Sequence, residues 1–270
     1  PIDAFFEIVS GFTTSGSSIL SDPSQMPYCI NIWRCFSHWI GGMGVLVFIL
    51  TLLPLAGGYH MNLMKAESPG PSVGKLLPKV QATAKILYKI YIALTVVLII
   101  LLLLGGIPLY DSLCAAFGTA GTGGFGIKPD SMGSYSLYIQ IVITVFMILF
   151  GVNFNVYFLL LTKKFSQALK SEEVRCYFIV IIVSALMITF NVRHLFNNVW
   201  EALQQSFFQV GSIITTTGYA TTDYNQWPAV SRTILVLLTF CGACAGSTGG
   251  GIKISRLLLL AKSVRKELHL

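Results

Sequence analysis

The chain has 270 residues, of which 54% are hydrophobic and 11% charged, whereas soluble domains carry about 25% charged residues. That balance excludes a water-soluble globular fold, so the formal net charge of +7 is read against a lipid bilayer, where Lys and Arg mark cytoplasmic loops. Most of the basic residues form three clusters: Lys65, Lys75, Lys79, Lys85 and Lys89; Lys163, Lys164, Lys170 and Arg175; Lys253, Arg256, Lys262, Arg265 and Lys266. All three are expected on the cytoplasmic side, and no nucleic acid is expected as a partner.

In chain order, the first element is a short helix from Asp3 through Phe5, Phe6 and Phe12 into Thr13-Thr14-Ser15-Gly16-Ser17. A charge-poor span follows over Trp39–Leu55, and another over Ile90–Leu109. The second short helix runs from Asp111 through Leu113 and Phe117 into Thr119-Ala120-Gly121-Thr122-Gly123-Gly124-Phe125. Leu137–Leu161 is then 25 residues without an ionisable acid or base, and a helix crosses the hydrocarbon layer with about 20 apolar residues. After the span Tyr177–Asn191, a third short helix starts at Asn197 or Asn198 and passes Phe207 and Phe208 into Thr215-Thr216-Thr217-Gly218-Tyr219-Ala220. A Gly-interrupted span, Thr233–Gly251, precedes the last basic cluster. Asp3 and Asp111 are expected to cap their helices.

A helix of about ten residues reaches about 15 Å, half the hydrocarbon thickness, so the three short helices are expected to re-enter. Non-helical backbone at membrane depth is tolerated only where it is buried in protein or lines a watery cavity. With Gly16, Gly123 and Gly218 taken as equivalent, the unit repeats as span, short helix, Gly-rich turn, span. The divisions are 1–79, 80–170 and 171–270. Backbone carbonyls in such turns can replace the hydration shell of a potassium ion, Thr and Ser hydroxyls add oxygens, and the C-terminal end of a short helix favours a cation.

Four segments are more specific: Ser10-Gly11-Phe12-Thr13-Thr14-Ser15-Gly16, Thr122-Gly123-Gly124-Phe125, Ile213-Ile214-Thr215-Thr216-Thr217-Gly218-Tyr219-Ala220-Thr221 and Ala245-Gly246-Ser247-Thr248-Gly249-Gly250-Gly251-Ile252-Lys253. With them the sequence resembles the Trk/Ktr/HKT superfamily of potassium transporters over almost its whole length. The resemblance implies an all-α membrane protein with four M1-P-M2 repeats around one pore, of which the first outer span and the fourth repeat fall outside this chain. It implies a selectivity filter at Thr14, Ser15 and Gly16, at Gly121, Thr122 and Gly123, and at Thr216, Thr217 and Gly218. Gly16 at the first filter position favours potassium over sodium. Cys241–Gly251 is implied to be an intramembrane loop under the filter, gating through Gly246, Ser247, Thr248, Gly249, Gly250 and Gly251. Independently, its small residues cannot hold a stiff helix, because Gly costs about 1 kcal/mol per helical site; a close helix crossing is the alternative.

The resemblance further implies potassium uptake in the plasma (inner) membrane, potassium as the ion carried without an organic cofactor, a homodimer, and a cytoplasmic RCK-type regulatory subunit that binds a nucleotide. The clusters Lys253–Lys266 and Lys65–Lys89 are docking candidates or ordinary positive-inside loops. A sodium-preferring or a sodium- or proton-coupled transporter of the same family is the alternative.

No enzyme is expected. Gly121–Gly126 satisfies G-x-G-x-x-G but lacks the strand–helix context of a dinucleotide site. An intramembrane hydrolase built on Ser15 or Ser247 is the rival from another class, but His38, His60, His194 and His269 share no placement near the repeated serines. The cysteines read as small hydrophobes. Asp223 is either an outer-mouth acid that concentrates cations or a solvated loop residue.

Overall fold

The structure is a computed structural model that describes residues 1–44 and 80–268. Two helices, α1 (Ile2–Phe12) and α2 (Tyr28–Gly42), form the first unit. Next come α3 (Val80–Leu104), the short α4 (Leu109–Ala120) and α5 (Leu137–Phe150). Two small helices, α6 (Phe154–Leu161) and α7 (Phe165–Leu169), lead to α8 (Glu172–Val192). The third short helix, α9 (Val199–Ile214), precedes α10 (Ala229–Cys241) and α11 (Ile254–Leu268). Among the described residues all regular structure is helical.

Among the described residues, two stretches are long and apolar enough to cross a bilayer unaided, Ala84–Leu104 and Glu172–Leu195. Their outer faces expose Val96, Val97 and Ile100, and Ile179, Val183 and Met187, as a lipid-facing surface does. Lipid gives no hydrophobic drive between helices, so small residues and interhelical hydrogen bonds must hold the bundle. The Trp39 indole donates to Thr95 Oγ1 (3.1 Å), Tyr91 OH to the Trp39 carbonyl (2.9 Å), Gln204 Nε2 to Gln140 Oε1 (2.7 Å), and Tyr177 OH to the Ile148 carbonyl (3.0 Å). α1 and α4 both pack on α2, while α9 packs on α5, α8 and α10.

Several expectations are corrected. The run Leu137–Leu161 is not one continuous helix: α5 and α6 meet at 90°. The break lies at Gly151–Asn153, where the Gly151 carbonyl accepts the Cys244 amide (3.0 Å) and the Phe154 amide goes to the Gly246 carbonyl (3.0 Å). Asn153 Oδ1 restarts the helix by accepting the Asn155 amide (2.9 Å). In Thr233–Gly251 the expected interruption does fall where α10 ends, at Cys241. Asp3 and Asp111 lie in the first turns of α1 and α4 but cap neither; Pro1 and Pro108 precede these helices. Asn198 does cap α9, accepting the Glu201 amide at 2.8 Å. The part of Trp39–Leu55 beyond Gly44, Lys65, Lys75 and Lys79, His60 and His269 lie outside the described residues.

Candidate functional site

The three short helices end alike. The residue after each C-cap (Thr13, Gly121, Thr215) is a Thr in the left-handed region: Thr14 at φ 55°, Thr122 at 51° and Thr216 at 58°. One residue on, the amide turns back to the helix: Ser15 to the Ser10 carbonyl (3.1 Å), Gly123 to Gly118 (3.1 Å) and Thr217 to Ser212 (2.9 Å). The next residue is a glycine of positive φ: Gly16 at 71°, Gly124 at 77° and Gly218 at 85°. Five L-residues outside glycine take such a φ among the described residues, a conformation that normally costs a side-chain-bearing residue about 1–2 kcal/mol, and three of the five are these threonines.

This pattern moves one expected equivalence by a residue. The conformational counterpart of Gly16 and Gly218 is Gly124, not Gly123, whose place corresponds to Ser15 and Thr217. The spacing Thr-x-Gly, present at Thr14, Thr122 and Thr216, was the signal for it.

The segments that follow the three helices, strands of loop and not of sheet, lie side by side. A β-carbon on Gly16 would overlap the Gly123 carbonyl oxygen and stand 3.1 Å from its carbon. A β-carbon on Gly124 would likewise overlap the Thr217 carbonyl oxygen, 3.1 Å from its carbon. Each glycine thus abuts the carbonyl just before the glycine of the next strand. Gly218, third in the series, has nothing within 4 Å at the corresponding place.

The carbonyls that follow the glycines are held in a matching way. Ser10 Oγ donates to the Ser17 carbonyl (2.6 Å), and Ser212 Oγ to the Tyr219 carbonyl (2.6 Å). The second repeat has Gly118 where the others have Ser, and the Tyr219 hydroxyl reaches across from the third strand to the Phe125 carbonyl (2.9 Å). A side chain at Gly118 would collide with that hydroxyl. Behind the first two strands, buried Arg34 donates to Glu7 Oε2 (2.6 Å) and lies 3.6 Å from the centre of the Phe125 ring. Glu7 Oε1 in turn accepts the Ser18 hydroxyl and the Ile19 amide, both at 2.8 Å. Neither Glu7 nor Arg34 was singled out from sequence, and Tyr219 stood there only within a motif, since each acts through residues distant in the chain.

Gly242, at φ 60°, ends α10, and the loop from there to Lys253 reaches the strands. Thr122 Oγ1 donates to the Thr248 carbonyl (2.9 Å), and the Gly250 amide to Thr216 Oγ1 (2.7 Å). The Thr248 hydroxyl goes to the Phe150 carbonyl (3.2 Å). The Lys253 ammonium donates to the Gly249 carbonyl, and the Ala245 amide to Glu173 Oε1 (2.6 Å). Of the six loop residues expected to gate, Thr248 and Gly250 therefore touch strand threonines. The Gly246 carbonyl holds the bend between α5 and α6, and Ser247 Oγ bonds the Cys244 carbonyl (2.6 Å).

The hydroxyl of Ser15 pairs with that of Ser10 (3.1 Å). His38, fully buried, stacks on Phe125 at 3.9 Å and accepts the Phe125 amide at Nδ1 (3.4 Å). Ser15, Ser247 and His38 thus each have partners other than one another. Asp22 and Asp223 cap equivalent 3-10 turns after the first and third strands, accepting the Ser24 and Asn225 amides at 3.0 Å. Ser24 and Asn225 hold these exposed carboxylates below the ordinary range, in Asp22 chiefly through the Ser24 hydroxyl and in Asp223 chiefly through the Asn225 amide.

Short helices packed between long apolar ones define an all-helical integral membrane protein. The profile of the TrkH family, described as cation transport protein, matches residues 2–270, and the chain belongs to that family. It is 36% identical over 273 residues to the Trk system potassium uptake protein TrkH of Salmonella typhimurium, covering 98% of this chain and 56% of the relative. The Trk system potassium uptake protein TrkG of Escherichia coli is 34% identical, with 99% of this chain and 56% of the relative covered. The crystal structure of the potassium transporter TrkH from Vibrio parahaemolyticus superposes with a TM-score of 0.83 at 31% identity, over 99% of this chain and 55% of that one. The chain spans about half the length of the relatives it matches.

Proposed function

We propose that this chain contributes three strands of a potassium-selective filter to a plasma (inner) membrane uptake protein, with 1–79, 80–170 and 171–270 as successive repeats. The observation that carries this reading is the threefold arrangement of left-handed Thr and Gly, in which glycine meets the neighbouring strand's carbonyl. With the strand amides turned back to their helices, carbonyl oxygens are the groups left to replace ion hydration, and the three helix C-termini add a cation-favouring field. The open place beside Gly218 suits a further strand from the rest of the protein.

In this reading dehydrated potassium passes Thr14, Ser15 and Gly16, Thr122, Gly123 and Gly124, and Thr216, Thr217 and Gly218, with Gly121 ending the second helix. The loop Gly246–Gly251, bonded to Thr122 and Thr216, closes the path from below. The basic clusters face the cytoplasm, and the whole protein is a homodimer with an RCK-type, nucleotide-binding regulatory subunit.

The test is potassium-limited growth of uptake-deficient cells carrying the full-length protein with Gly16, Gly124 or Gly218 changed to Ser. Loss of growth, or a shift in ion preference, is expected for each. If all three leave uptake and preference untouched, the filter assignment is wrong; if wild-type rescue tracks sodium, the ion assignment is wrong.

A further inference from the structure

The loop Gly242–Lys253 is built mostly of small residues, so apart from the buried Ala243 and Cys244 it is hydrogen bonds that fix its position. Those made by its neutral amides run to carbonyls or a hydroxyl: Cys244 to Gly151 (3.0 Å), Ser247 to Cys244 (3.3 Å), Ile252 to Phe240 (3.3 Å) and Gly250 to Thr216 Oγ1 (2.7 Å). Ala245 is different. Its amide meets the carboxylate of Glu173 at 2.6 Å, and bonds to an ionised acceptor are shorter and roughly twice as strong as neutral ones. Ala245 is buried, so its amide would be left without water if the acceptor withdrew.

Glu173 occupies a favoured place for a carboxylate. It sits in the first turn of α8, where the free amides of a helix start favour a carboxylate. Its neighbour Glu172 pairs with Lys262 of α11, so one helical turn touches both the beginning of the loop and the helix that leaves it. The exposed Glu172–Lys262 pair contributes little by itself; the half-buried Glu173 contact is the stronger of the two.

We propose that Glu173 is a positioning residue of the loop: its carboxylate holds the Ala245 amide and keeps the loop closed beneath Thr122 and Thr216, and release of this contact is a step of opening. The inference rests on the ion-path reading above.

The experiment uses the full-length protein in liposomes, comparing wild type with Glu173→Gln and Glu173→Ala. Three quantities are read: basal potassium flux, the potassium-to-sodium permeability ratio, and the rate at which a hydrophilic maleimide modifies Cys244, followed by peptide mass spectrometry. Cys244 is fully buried beside Ala245. For Glu173→Ala, flux and Cys244 modification should both rise by about tenfold or more, the scale of one charge-assisted hydrogen bond, with the permeability ratio unchanged. Glu173→Gln keeps the oxygen and loses the charge, so its rise should be smaller.

A merely structural residue would instead lower flux and degrade selectivity together, and that result overturns the proposal. So does a folded Glu173→Gln protein whose flux and Cys244 modification both equal wild type, a criterion that stands even where Glu173→Ala does not fold. Absence of potassium flux in the wild type refutes the ion-path reading instead, while Cys244 modification still judges the role of Glu173 in holding the loop.

Discussion

Gly123 and Gly124 are adjacent, and the structure gives them different reasons to be glycine. Gly124 has φ 77°, where an Ala is strained by about 1–2 kcal/mol. Its added β-carbon would also stand 3.1 Å from the Thr217 carbonyl carbon, while such contacts settle at about 3.5–4.0 Å. The carbonyl oxygen, which that β-carbon would overlap, must then retreat by on the order of an ångström or more. Overpacking of this kind costs about 1–3 kcal/mol, so Gly124→Ala should destabilise the protein by about 2–5 kcal/mol in total. A shift in ion discrimination of only about 1.4 kcal/mol is a factor of ten, so displacing a carbonyl of the proposed filter should reduce potassium-over-sodium preference at least that far. Gly123 takes no left-handed conformation, but its β-carbon would stand 2.7 Å from Cγ of His38. Removing that ring should therefore relieve Gly123→Ala and leave Gly124→Ala unrelieved. The assay is thermal unfolding and cation uptake for both substitutions, alone and with His38→Ala. Wild-type selectivity in Gly124→Ala, or its rescue by His38→Ala, would refute the strand register.

Replacing Thr216 by Val removes the acceptor of the Gly250 amide, and Thr122→Val removes the donor to the Thr248 carbonyl. A neutral hydrogen bond contributes about 0.5–1.5 kcal/mol, so each change should raise basal flux by about two- to tenfold, and an unchanged flux in both would separate these contacts from closure. Arg34→Ala leaves Glu7 buried without its cation. Breaking a buried pair from one side costs about 3–5 kcal/mol, which should appear as a much lower unfolding temperature than in Arg193→Ala, a control outside that ion pair. Asp22 and Asp223 are held below the ordinary carboxylate range, so their folded-state charge persists as pH falls and is lost only through the depressed pKa. Apparent potassium affinity should accordingly stay constant from pH 7 to about pH 4, and replacing both by Asn should weaken it about twofold at low salt and less at high salt. An affinity that declines through pH 6 would point to other groups at the mouth.

Local chemistry marked the elements well. Three aromatic short helices, each running into Thr, Ser and Gly, announced themselves because a half-membrane helix has to stop in a turn of small polar residues. What sequence could not supply were the places where one repeat completes another. The equivalence of Gly123 with Gly16 rested on counting glycines in a Gly-rich stretch; conformation assigns the role to Gly124 because the left-handed Thr precedes the glycine by two. The break in Leu137–Leu161 was hidden for a related reason: its apolar content suits a span, and the bend depends on carbonyls and amides taken up by residues about 90 positions later, Cys244 and Gly246.

Tyr219 shows most directly why the repeats are not interchangeable. In the first and third strands a helix serine holds the carbonyl after the glycine, so each strand braces itself. The second strand has no such serine and takes its hydroxyl from the third, while Gly118 is kept small by that same hydroxyl. The carbonyl-to-glycine contacts run from the first strand to the second and from the second to the third, and the Tyr219 bond runs back from the third to the second. Strands two and three are therefore joined in both directions, whereas Ser15 and Gly218, at the two ends of the series, are exposed. Tyr219→Phe should then disturb the second strand more than the third: losing one hydrogen bond of about 0.5–1.5 kcal/mol, it should loosen the protection of the Phe125 amide, bonded to His38 Nδ1 at 3.4 Å, in hydrogen exchange while that of Ala220, bonded to Ser131 Oγ at 3.2 Å, stays as it was. Equal loosening of both would mean that the hydroxyl braces the array as a whole and not the second strand alone.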